Sequence, residues 1–365
     1  YENDTIEDYD AWSTSTTFLN AYAGNVSGQG NIVLDHAGNV MGDLDVNAID
    51  VTITENSTIT DYVSGWNTPG TVILNAGANA ITLNDITNVL GDIDIDGTPS
   101  SVTIYEDNDI TQSGAWAIGA APVYLNATND DIILTQSGNV MGNIRIYNDN
   151  GTPATVSITE DSTITQSGEW LLAGKPVTLI AENDNTITLT DVDNIFGNLE
   201  VTGGAVSIRE NDDITDGGAW TTTGTTTLHP GTTGATSIVL NEVGNVLGNI
   251  AISGDPDAVT IVENDNITQA SAWSLSGDTV ELTVADDNDI LLTQAANVFG
   301  DLNLTAGGTG NVSVTENDDI TDGTAWTVGD TATLTAGAND ITLDVSGNLG
   351  TLHIVSVADA SVQSD

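Results

Sequence analysis

Val206–Trp220 reads VSIRENDDITDGGAW, and the same pattern returns as VTIYEDNDITQSGAW at Val102–Trp116 and VSITEDSTITQSGEW at Val156–Trp170. Val206 and Ile208 stand two apart, with polar Ser207 and Arg209 between them, as Val102 and Ile104 do around Thr103. An apolar residue at every second position is the period of a strand with one buried face and one wet face. A second kind of segment follows each time: NAITLNDITNVLGDIDI at Asn79–Ile95, DIILTQSGNVMGNIRI at Asp131–Ile146, NTITLTDVDNIFGNLEV at Asn185–Val201. It alternates too, as in Ile187-Thr188-Leu189. Gly, Asn, Asp and Ser bound these short runs and supply the corners. No window holds a 3.6-residue period, so helix is not expected.

Working outward, the 365 residues align as seven repeats: 1–50, 51–101, 102–155, 156–205, 206–258, 259–311 and 312–365. Each carries one tryptophan, Trp12, Trp66, Trp116, Trp170, Trp220, Trp273 and Trp326, and a glycine in register, Gly42, Gly91, Gly142, Gly197, Gly248, Gly300 and Gly350. A repeat of this length cannot bury its apolar face alone; stacking on its neighbours supplies the core. The expected fold is an all-β parallel β-helix, or β-solenoid, running as a single array over 1–365, with about two coils of roughly 25 residues per repeat. A seven-bladed β-propeller shares the repeat length and is the alternative. It lacks a Gly-His and Trp-Asp blade signature here, and Asn and Gly corners suit solenoid coils better.

Three Lys plus Arg (Arg145, Lys175, Arg209) face fifty-three Asp plus Glu, a formal charge of −50. Nucleic acid is excluded as a partner, because phosphate binding needs clustered cations. So acidic a chain would be disordered if it were also poor in apolar residues; at 39% hydrophobic it is not. No run approaches the roughly 18 to 20 apolar residues of a membrane span. There is no cysteine, which excludes disulfides and thiol chemistry. The opening at Tyr1, without initiator Met or apolar leader, reads as a processed product or an excised segment.

The strings NDITL (Asn339–Leu343), GNVMG (Gly138–Gly142) and NDDITDGGAW (Asn211–Trp220) resemble the β-strand repeats of filamentous haemagglutinin-like bacterial exoproteins and other large surface adhesins. The likeness covers essentially the whole chain. It implies a right-handed coil, export to the cell surface or medium, and a role in adhesion or as a surface fibre. Surface glycans are the partner class considered beside further copies of the chain.

A glutamate recurs in one register, Glu2, Glu55, Glu106, Glu160, Glu210, Glu263 and Glu316. Ca²⁺ takes six to eight oxygens, yet the neighbours of these glutamates vary, and Asp212 and Asp213 in one repeat are Ser57 and Thr58 in another. The expectation is therefore a solvated acidic corner with no cofactor. If a divalent cation is held, it is Ca²⁺ or a similar ion bound loosely at Glu210, Asp212, Asp213, Glu316, Asp318 and Asp319. The tryptophans read as packing residues rather than a sugar-stacking ladder. His36, His229 and His353 fall at unrelated positions without a visible base or orienting partner, and carboxylates in repeated positions do not mark one catalytic locus, so no enzyme is expected. Tyr1-Glu2-Asn3-Asp4 starts where a leading Val-Thr-Ile strand would precede it, and Val362-Gln363-Ser364-Asp365 falls where the next such strand would begin. Head-to-tail stacking of copies into a homopolymer through these eight residues is the expectation that follows.

Overall fold

The computed structural model describes residues 2–3, 5–23, 26–27, 29–148, 151–231, 236–275 and 278–364. They are all-β, with strands of two to eight residues and no helix among them. No helix is long and apolar enough to cross a membrane. Strands pair in parallel with strands one turn away, which is a β-solenoid. The antiparallel ladder of Thr16–Ala23 with Val26–Ser27 is the exception among the described strands. A propeller is not favoured, since its blades are antiparallel sheets.

The chain forms two compact units, 1–185 and 186–365. In the first, one column of strands runs Thr5–Glu7, Asn31–Leu34, Val51–Thr54, Val72–Asn75, Ile93–Ile95. A second runs Ile59–Thr60, Ile81–Leu83, Val102–Glu106, Val123–Ala127, Ile144–Ile146. A third, shorter column links Thr16–Ala23, Asp43–Asn47, Asn67–Thr68 and Val89–Leu90. The second unit repeats the scheme, with Val206 opposite Thr226 and Thr226 opposite Ile250 in one column, and Val259 opposite Val280 and Val280 opposite Leu302 in another.

These registers correct the expected coil. Val51 lies opposite Val72, and Val72 opposite Ile93, so a turn takes about 21 residues rather than 25. From the strand of Val51 the ladder climbs through those of Val72, Ile93, Ile110 and Ile132 to reach the strand of the equivalent Val156 after five turns. From the strand of Val206 it climbs through those of Thr226, Ile250, Ile267 and Ile290 to that of Val312, again five. Two sequence repeats thus make five turns. A single repeat makes two and a half, so equivalent strands alternate between columns: Val51–Thr54 in one, Val102–Glu106 in the other.

The alternation read from sequence sets which side chains point inward. Val102–Glu106 buries Val102, Ile104 and Glu106 and leaves Thr103 and Tyr105 half-exposed. Ile32, Val51, Val72 and Ile93 stack in successive turns and are each fully buried or nearly so. Each such side chain contributes roughly 1.5–3 kcal/mol, and no turn could retain that contribution without its neighbours. The register glycines allow the turns to approach: a Cβ on Gly91 would sit 1.8 Å from the Gly70 carbonyl oxygen, and one on Gly42 1.6 Å from that of Ser15.

Candidate functional site

Residues that recur from repeat to repeat meet at one kind of corner. In the second unit it is built from Asp216, Trp220, Asn245 and Glu263. Ile214–Asp216 ends in Asp216, whose carboxylate accepts the N–H groups of Asn241 and Glu242 at 3.0 and 2.9 Å and the Asn245 side-chain amide at 2.8 Å. Asn245 Oδ1 accepts the Trp220 N–H at 2.7 Å, and the indole Nε1 donates to the Leu199 carbonyl at 2.9 Å. Two residues beyond Asn245, the Leu247 N–H donates to Glu263 at 2.8 Å. The glutamate belongs to the following sequence repeat, so each corner joins one repeat to the next.

The same corner occurs in the first unit. Asp61, Trp66, Asn88 and Glu106 reproduce it, with Trp66 N–H to Asn88 at 2.6 Å and Leu90 N–H to Glu106 at 3.0 Å. Gln112, Trp116, Asn139 and Glu160 do so with a glutamine in place of the aspartate, its amide exchanging two hydrogen bonds of 2.9 Å with Asn139. In the second unit Gln269, Trp273, Asn297 and Glu316 match that variant. An acceptor for the asparagine amide and for the loop N–H groups is what the position requires, and either side chain supplies it.

The solvated acidic corner is overturned here. Glu55, Glu106, Glu160, Glu210, Glu263 and Glu316 are between 0% and 3% exposed. Glutamate follows the inward-pointing Val and Ile at the same two-residue spacing, so strand geometry carries it into the core. One oxygen of each accepts a backbone N–H, and the other has no hydrogen-bond partner among the described residues. Burial makes the charged form costly. It pushes Glu210, Glu263 and Glu316 up to about 8, and Glu106 well above the usual carboxylate range. In Glu55 and Glu160, the hydroxyls of Ser57 and Ser162 donate at 2.5 and 2.6 Å and partly offset burial, which leaves both at about 7. Neutral carboxyls in the core mean that the formal −50 overstates the charge carried at pH 7.

The six acidic residues considered for a divalent cation are not gathered into one donor set. Glu210 and Glu316 are buried, whereas Asp212, Asp213, Asp318 and Asp319 are exposed. Asp213 accepts the Ser237 N–H and Asp319 the Asp340 N–H, each fastening the next turn. Among the described residues no group of three His, Asp or Glu is placed to hold a metal ion. Trp66, Trp116, Trp170, Trp220, Trp273 and Trp326 are 0% or 1% exposed, so they pack the interior; Trp12 alone is half-exposed. The three histidines are not brought together. Tyr1, Asp4 and Asp365 lie outside the described residues; Glu2–Asn3 pairs with Ala21–Tyr22, and Ala360–Ser364, which contains Val362 and Gln363, pairs with the strand Ile341–Gly347.

The asparagines Asn39, Asn88, Asn139, Asn194, Asn245 and Asn297, all fully buried, escaped the sequence reading. Their fixed place three residues before the register glycine was the available signal.

A family model described as repeats of unknown function (DUF5649) matches residues 29–93, 89–148, 143–202, 184–253, 246–306 and 300–354. Tandem β-solenoid repeats are thereby established, whereas the comparisons give no support to a filamentous haemagglutinin-like family specifically. No curated protein and no solved structure matches the chain.

Proposed function

We propose that this chain, which belongs to the DUF5649 family of tandem repeats, is a non-enzymatic structural protein, a segment of an extracellular or cell-surface fibre that assembles head to tail. The observation that carries the reading is the use made of the recurring polar residues. In the corner of Asp216, Trp220, Asn245 and Glu263, every one is engaged in fastening one turn to another. A catalytic site needs polar groups left facing a substrate; here the repetition is of fasteners. Solenoids stacked through parallel strands extend without a change of geometry, which suits a fibre. Placement outside the cell rests on the likeness of the repeat strings to surface exoproteins.

Electron microscopy of the purified chain over a range of concentrations tests the reading. Filaments of uniform width are expected. Single particles at every concentration would overturn head-to-tail assembly, and ring-shaped particles would overturn the solenoid fibre altogether. Antibody labelling of intact and permeabilised source cells tests the location, with label confined to permeabilised cells as the contrary result.

A further inference from the structure

One place in the second unit departs from the repetition. At the outward position before the buried glutamate, the first unit has Thr54, Tyr105 and Thr159, and the second has Val262 and Thr315, but here stands Arg209. The residue opposite it one turn on is His229, where Val262 and Thr315 face Thr283 and Thr335. Arg209 and His229 open on a cavity of about 260 Å³, completed by Val192, Asp193, Pro230 and Gly231 among others.

The guanidinium of Arg209 has no ion-pair partner among the described residues, in a chain with fifty-three carboxylates; the pair between Arg145 and Glu169 is the one they contain. Asp193 lines the same cavity, and its carboxylate lies beyond ion-pair distance of Arg209. A donor fork and an acceptor therefore share one small space without touching. His229 Nδ1 bonds Ser253 Oγ at 2.9 Å, and Nε2 is without a partner among the described residues. Burial, and then the nearby Arg209 charge, lower the affinity of His229 for a proton, which favours the neutral ring. Glu210 also lines the cavity, but burial favours its protonated form, so Arg209 and Asp193 balance one another; the volume falls just below the roughly 300 Å³ at which pockets for drug-sized ligands begin.

We propose that this cavity is a binding subsite for one neutral sugar residue, with the Arg209 guanidinium donating to adjacent hydroxyls, Asp193 accepting from another, and His229 Nε2 bonding a third. A polyol satisfies donors and acceptors on several walls at once without importing a net charge into an acidic molecule. An anion would gain Arg209 but meet Asp193, and a cation would meet the reverse. This site goes beyond the fibre reading and stands or falls without it.

The test is an NMR titration of the full chain labelled at histidine Cε1, since His36, His229 and His353 then give only three signals. The probes are glucose, galactose, mannose and N-acetylglucosamine, with glycine and acetate alongside. The expected result is a saturable shift of the His229 signal with at least one of the four sugars, while His36 and His353 stay fixed. In Arg209→Thr, which installs the residue found at this position in three other repeats, binding should weaken at least tenfold with the circular-dichroism spectrum unchanged. No shift with any of the four sugars would overturn the proposal, as would equal movement of all three histidines, an undiminished response in Arg209→Thr, or an equal response to glycine or acetate.

Discussion

Replacing Glu263 by Gln should make the protein more stable in alkali while leaving it nearly unchanged in mild acid. Glu263 is 1% exposed; one oxygen accepts the Leu247 N–H at 2.8 Å and the other is without a partner among the described residues. Gln keeps the acceptor and the shape and cannot ionise. Burial raises the Glu263 carboxyl from 4.5 to about 8. An acid whose folded value exceeds its unfolded one retains a proton that the unfolded chain has released, so stability is full below about 4.5, declines as pH rises towards 8, and is level above that. At about 1.36 kcal/mol per pKa unit the decline reaches roughly 5 kcal/mol for this one group. That is a ceiling, because a turn can open locally for less. Urea melts at pH 5.5, 7 and 9.5 in high salt, followed by far-ultraviolet circular dichroism, are the assay. Midpoints are compared rather than free energies, since a long repeat array need not unfold in two states. The wild-type midpoint should fall from pH 5.5 to 9.5, and Glu263→Gln should recover part of that fall. A wild-type midpoint that holds or rises over the window, or a variant with the same slope, would refute the buried neutral carboxyl.

Asn297→Ala leaves the Trp273 N–H and the Leu292 and Thr315 carbonyls without their partner, and should cost on the order of 2–4 kcal/mol, read as a lowered urea midpoint and a weakened near-ultraviolet spectrum. Tryptophan emission should be blue-shifted, with acrylamide reaching little beyond the half-exposed Trp12; quenching of most of the emission would contradict the buried column. Gly91→Ala must displace the Gly70 carbonyl and should cost at least the roughly 1–3 kcal/mol of an overpacked core. Gly77→Ala is the control. Gly77 has φ of 59° with open space around it, so it should cost only the roughly 1–2 kcal/mol of a left-handed residue, and equal midpoints for the two variants would undo the close-approach argument.

The strand class was legible because its signal is local: Val102, Ile104 and the polar Thr103 between them state a two-residue period that the structure obeys. Turn length was not, because it is set by which strand lies over which. The eye aligns Val51 with Val102, which have the same neighbours in sequence, but hydrogen bonding aligns Val51 with Val72, which shares with it only an apolar side chain. A strand accepts any neighbour whose inward residues pack, so chemical similarity between segments gives the sequence period and says little about the turn. The burial of the glutamates is hidden in the sequence for a related reason. Charge alone argues for solvent, but Glu106 continues the inward series of Val102 and Ile104, and phase within the strand overrode the preference of the residue.

Alternation between columns gives this error a physical meaning. Because five turns complete two repeats, Glu55 and Glu160 share a column while Glu106 lies on the other. At about 4.8 Å per turn, same-side glutamates stand roughly 24 Å apart, more than twice the screening length near 0.1 M salt. Two coils per repeat would instead have placed equivalent carboxyls about 10 Å apart, close enough to repel one another on ionising. The spacing observed separates same-side buried carboxyls from one another, so the charges that act on Glu210, Glu263 and Glu316 are those of the aspartates beside them, and each corner loosens in alkali with little influence from the next glutamate on its side.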